Sequence, residues 1–413
     1  MANTKGKNGV DNGEPPSDDV LRAALLSYAS LKLSAKQRIQ NLADEHQYHI
    51  KATKLKELNK QFNIPTVRKP PPVSVATTLI CDKLDDDVNK TNGPDAMKTF
   101  LALDGYQIPR DTVRQIMKDN APGTSKQRYP GNKDKIIRTN LTAQGVFQEL
   151  HCDGHEKLAT AALRMGPVGI LIYGFRDKAS GLLCGLVAVP DARHSAVVGH
   201  LYLDLLEEFG VFPMQVTVDG GSETGFIYAI QSAIRTWPVF MALKSVNNIP
   251  IENLWKWLVK TIGRNLRDLI EDGKTNGLFN ASSELHIHLF HWLWSKIIQI
   301  KLDEFKLYWN YHTPRKNPKK VMISGAPPLE IFRNPANYGL EFLGKEIDQD
   351  AINALRETIP SSRDEALRWV PQEFDNAAQE AYEQIGSPKL EARRGWVIFG
   401  QMAELISWAE EDS

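Results

Sequence analysis

Three acidic residues, far apart along the chain, have the chemistry of a metal-dependent phosphodiester site. Asp153 closes "VFQELHCD", Asp219 closes "MQVTVD", and Glu252 sits in "NNIPIENLWKWL". The first two end runs of strand-favouring residues; the third opens a helical run. Asp219 is followed by Gly220 and Gly221, which permit a tight turn and a close backbone approach to a ligand. Two ionised carboxylates held close repel, and a cation offsets that repulsion. Hard oxygen donors without a Cys/His set point to Mg2+ or Mn2+. A third acid completes a two-metal arrangement, with ions ~3.5–4 Å apart clamping the attacking and leaving oxygens of a phosphodiester.

Glu252 also has a plainer use, favouring a helix N-terminus and pairing with Lys256 at i,i+4. Yet Glu252, Lys256, Lys260, Arg264 and Arg267 follow at helical steps. One helix face then carries a single carboxylate and a ladder of cations suited to a phosphate backbone. Ile251, Trp255, Leu258, Ile262 and Leu266 form the opposite face, expected to pack on a sheet.

The elements that must position these residues lie between Val146 and Ile270. "VFQELHCD", "VGILIYGF" and "LLCGLVAV" are expected strands, the last two separated by "RDKASG". An amphipathic helix, the strand ending at Asp219, a helix, the short strand "VFMAL" and a long helix follow. The order predicts a mixed α/β layer with an antiparallel start. Residues 282–311 predict a helix rich in His and Trp. Its "HIHLFHWLW" (His286, His288, His291, Trp292, Trp294) suits core packing, with base stacking as the alternative.

Two helical units precede this region. Residues 34–66 and 91–122 each predict helix, turn, helix, with a weak echo between "YHIKATKLKEL" and "YQIPRDTVRQIM". Lys51, Lys54 and Lys56 line the second helix of one unit, and Arg110, Arg114 and Lys118 that of the other. Basic faces of this kind suit DNA and equally suit solvent. "DKLDDD" reads as an acidic linker between the units; residues 1–18 read as disordered, within a disordered or N-terminal segment over 1–33.

Taken together, "HCDGHEKL", "TVDGGSETG" and "NNIPIENLWKWL" resemble the three motifs of the integrase catalytic core, the DDE family of retroviral integrases and transposases, here of the transposon-derived eukaryotic type. "FRDKASGLL" resembles that family's second-to-third strand hairpin. "FKLYWNYHTPRKNPKKVMISGAPPLEIF" resembles the stretch after the core. The resemblance implies a ribonuclease H-like core over residues 140–320, with Asp153, Asp219 and Glu252 as metal ligands for Mg2+ or Mn2+, in two ions. It implies DNA nicking and joining, with Lys256, Lys260, Arg264, Asn248, Arg110 and Arg114 as DNA contacts. Glu223 matches the accompanying acid of the second motif, as a supporting or capping group. The alternative function is a domesticated DNA-binding or regulatory protein that no longer transposes. The segment departs from relatives just ahead of Glu252, where it reads "SVNNIPIENLW". No N-terminal zinc domain is expected.

Bulk properties permit this. The sequence has 413 residues, zero formal net charge and three cysteines at unrelated spacings, which form neither a disulfide framework nor a zinc pattern. His151, Cys152 and His155 invite zinc but lack a fourth ligand nearby. Residues 1–150 hold 23 Lys and Arg against 17 Asp and Glu, whereas residues 331–413 hold 8 against 16. A mildly basic body thus precedes an acidic, helical C-terminal region expected over 321–413. There is no apolar signal-peptide core or membrane-length run. Expected partners are DNA and, further, a second copy of the chain, with no membrane. The expected location is nuclear or nucleo-cytoplasmic, with "PRKNPKK" read as a weak import signal, a phosphate contact or, equally, a solvated loop.

Overall fold

The computed structural model describes residues 12–87, 91–121, 143–219, 221–234, 240–243, 249–317 and 322–411, with the backbone alone at 219, 240–243, 249 and 408–411. The chain divides into two units: residues 1–137 with 311–317 and 324–334, and the remainder.

The first unit is two three-helix clusters. Helices α1 (Asp18–Ser30), α2 (Ala35–His46) and α3 (Ala52–Gln61) bury Leu25, Leu42, Leu55 and Leu58 together. Helices α4 (Val73–Asp86), α5 (Pro94–Leu103) and α6 (Arg110–Asn120) bury Ile80, Leu101, Val113 and Met117. Helices occupy both stretches expected as helix, turn, helix, each packed with a third helix, and the echo between the stretches has a structural counterpart. Gln47 and Gly105 take positive φ at equivalent turns, ending α2 and α5. Ile50 and Ile108 then plug the clusters from the same turn position. Ser34 starts α2 with a reciprocal cap to Gln37, a Ser-x-x-Gln capping box.

Two expectations are corrected here. Residues 18–30, within the segment 1–33 expected as disordered or N-terminal, are α1, because Leu21, Leu25 and Tyr28 recur at helical spacing and are buried. The acidic "DKLDDD" is not a linker but the end of α4, anchored by buried Leu84.

The second unit is built on a five-stranded mixed sheet. Its strands are β2 (Glu149–His155), β3 (Leu171–Asp177), β4 (Leu183–Val189), β6 (Gln215–Asp219) and β7 (Phe240–Leu243), ordered β4-β3-β2-β6-β7. β2, β3 and β4 are antiparallel neighbours; β6 runs parallel to β2, and β7 to β6. Helices α7 (Thr160–Leu163), α8 (Ser195–Phe209) and α9 (Gly225–Ile234) lie between strands. α10 (Ile249–Leu258) continues through a π-helical turn, Val259–Gly263, into α11 (Arg264–Thr275). This is the expected α/β class with its antiparallel start. The strand bounds shift from the expected runs, most relevantly at β2, which runs two residues past Asp153, to His155, because its pairing with β3 continues through His155↔Ile172.

Helix α12 (Glu284–Tyr311) buries Phe290, Trp292 and Trp294. Core packing is therefore its role, and base stacking is excluded for those rings. After α13 (Pro328–Arg333), the short strands β8 (Glu341–Phe342) and β9 (Lys345–Glu346) pair with β1 (Gly145–Val146) and β5 (Val211–Phe212). Helices α14 (Gln349–Glu357) and α15 (Arg363–Ala366) cover α8, where Arg356 and Arg363 each meet Asp204 at 2.9 Å. Helices α16 (Gln372–Gln384) and α17 (Gly395–Glu411) cover α12. The acidic helical region expected over 321–413 lies, from residue 335 onward, in the same unit as the sheet.

Candidate active site

Strand alternation decides which residues of β2 can act together. Glu149, His151, Asp153 and His155 share one face; Leu150 and Cys152 are fully buried on the other. That separates Cys152 from the two histidines and removes the zinc alternative. Burial and neighbouring Cys184 raise the Cys152 thiol far above its usual pKa.

The register carries the second acid to the first. His151 pairs with Thr217 across β2 and β6, and Asp153 and Asp219 each follow two residues later. Asp219 thus ends β6 at the level of Asp153; its side chain lies outside the described residues. Asn248 lies outside them altogether.

The third acid comes from α10, which crosses this face. Ile251, Leu254, Trp255 and Leu258 are buried against the sheet, while Glu252 is half-buried in the first turn. Asp153 and Glu252 line one cleft of about 790 Å³. Glu223 joins them there, and its carboxylate folds back over Gly221, occupying the space of a Cβ at that position. A side chain at 221 would turn Glu223 away. Among the described residues no three His, Cys, Asp or Glu side chains are gathered closely enough to hold a metal; the side chain of Asp219 is not in that set. The donor chemistry fits a hard divalent cation, since carboxylates open on the cleft and no thiol does.

Trp255 links the two elements. Its indole N–H donates to Asp153 Oδ2 at 2.8 Å. Its ring stacks on His155, with centroids 4.7 Å apart and planes 16° from parallel. Burial, with Lys157 adding to it, lowers the His155 pKa to about 4, so its ring is neutral at physiological pH.

The expected cation ladder is broken. A π turn spans Val259–Gly263 and contains Lys260. Lys256 and Arg264 line the cleft, whereas Lys260 lies over the Trp257 ring, 5.3 Å from its centroid. Arg267 pairs with Glu271 at 2.7 Å. Lys157 and Arg193 also line the cleft, and sequence reasoning missed both. Their signal was position: Lys157 lies four residues beyond Asp153, and Arg193 precedes α8. In the first unit, Arg110 is exposed but paired with Asp95 at 2.8 Å, and Arg114 is exposed.

A polar layer supports this face. Glu149 accepts from Lys178 Nζ at 2.6 Å and Thr217 Oγ1 at 2.7 Å, and lies 3.1 Å from His151 Nε2. Burial opposes its ionisation, but these hydrogen bonds outweigh burial and hold its pKa at about 2. Opposite His151 on β3, Arg176 donates to the Pro250 carbonyl at the start of α10 and sits 5.0 Å from the Trp309 ring centroid.

A mixed sheet with acids at the ends of neighbouring strands, and a helix bringing another acid over them, is consistent with a ribonuclease H-like α/β core. Residues 147–331 match the family model of the integrase core domain, so this segment is similar to the integrase catalytic core family. A search of the curated proteins found no match. Among the described residues, no helix is long and apolar enough to cross a membrane.

Proposed function

We propose that the protein nicks and joins DNA strands by metal-dependent polynucleotidyl transfer, with Asp153, Asp219 and Glu252 as the metal-holding acids. The observation that carries this is the shared cleft of Asp153 and Glu252, on the sheet face where β6 ends at Asp219. Two Mg2+ or Mn2+ ions, when bound there, supply activation of the attacking water or 3′-hydroxyl and stabilise the leaving oxygen. Lys256 and Arg264 hold the phosphate backbone beside the acids, and Lys157 and Arg193 extend that contact across the mouth. Glu223 supports the turn that follows Asp219.

The two three-helix clusters favour DNA as the substrate, because each presents exposed bases on its last helix: Lys54 and Lys56 on α3, Arg114 and Lys118 on α6. The same feature also supports the second reading, a nuclear DNA-binding protein that no longer transposes. A nicking and strand-transfer assay on supercoiled and oligonucleotide DNA, with Mg2+ or Mn2+, separates the two. Activity present in the wild type and absent in Asp219→Asn is expected. DNA binding with equal, background-level cleavage in both proteins would replace catalysis with the second reading.

A further inference from the structure

A residue that only fills space beneath a helix needs volume. A carboxylate as buried as Asp153, 9% exposed, also needs a donor aimed at it. Position 255 supplies both. Its ring is 5% exposed, and a Cβ on Gly174, the β3 residue opposite Asp153, would stand 2.7 Å from the ring's Cη2. The ring therefore lies directly on the sheet at the level of the first acid. Its N–H reaches Asp153, its face covers His155, and Glu252 stands three residues earlier on the same helix.

We propose that Trp255 is a positioning residue of the catalytic centre: its indole N–H fixes the rotamer of Asp153, and its ring, seated on Gly174, sets the separation between the Asp153 strand and the Glu252 helix. The proposal rests on the metal-dependent reading above. An Asp held this way meets an ion without first reorganising, and partners that orient metal ligands contribute about 10- to 100-fold in metal affinity. The ligands themselves are left to the acids.

The test is Mn2+ binding to the full-length protein, followed by loss of the free-ion paramagnetic resonance signal. Trp255→Phe keeps a ring over Gly174 and against His155 but removes the N–H. Gly174→Ala keeps the N–H but displaces the ring. Both variants are expected to bind Mn2+ about ten-fold more weakly than wild type with unchanged circular dichroism, and Asp153→Asn to lose the site. If Trp255→Phe fails to fold, Gly174→Ala decides. Wild-type affinity in the folded Trp255 or Gly174 variant, with the site lost in Asp153→Asn, overturns the positioning role and leaves the catalytic reading standing. Wild-type affinity in Asp153→Asn overturns both.

Discussion

Glu149 illustrates what single residues do beneath this site. Its carboxylate is tied to Lys178, Thr217 and His151 within a layer that borders the acid-bearing strand. Its pKa falls from 4.5 unfolded to about 2 folded, so its stabilising contribution is complete above about pH 4.5 and disappears as pH falls toward about 2. Thermal melts between those values should show a steeper acid loss in wild type than in Glu149→Gln. At neutral pH the Gln variant should be less stable by about 2–3 kcal/mol, below the full cost of breaking a fully buried pair because Lys178 retains some water contact. Urea unfolding measures that difference.

At the scale of elements, the long helix over the sheet carries the most consequence. Its apolar face was legible from Ile251, Trp255 and Leu258 at helical spacing. Its π turn was not, since such a turn is set by packing and leaves no mark in the spacing pattern. The placements of its cations predict unequal roles. Lys256→Ala and Arg264→Ala should each weaken DNA binding and reduce the slope of log affinity against log salt by about 1. Lys260→Ala, turned toward Trp257, should change that slope less. Fluorescence anisotropy across a salt series distinguishes them. Strand alternation in β2 likewise settled what a linear motif left open, by turning Cys152 away from His151 and His155.

For the whole molecule, the C-terminal region is structural. Trp396 on α17 is 8% exposed, donates to the Leu269 carbonyl at 2.8 Å and lies 5.2 Å from Trp294 between ring centroids. Trp396→Ala should cost about 3–5 kcal/mol, as for other large buried aromatics. Arg356→Ala, which loses partly exposed pairs to Asp204 and Glu207, should cost no more than about 1 kcal/mol. Chemical denaturation of the full-length chain tests both values. Net charge along the sequence marked this region as different in character, but acidity does not reveal burial. Its helices hide an aromatic and apolar inner face against α8 and α12.

The sequence by itself determined the class of sheet, the strand and helix that carry each acid, and the likeness of the core to the integrase family, because these depend on local periodicity and on short motifs that must sit next to turns. Tertiary structure alone decided that Trp255 grips Asp153, that Lys260 leaves the cation row while Lys157 and Arg193 join the cleft, and that residues beyond 335 complete the core. Those outcomes depend on which surfaces meet across long stretches of chain, and hydrogen bonds and packing between distant segments carry no periodic signature in the residues that make them.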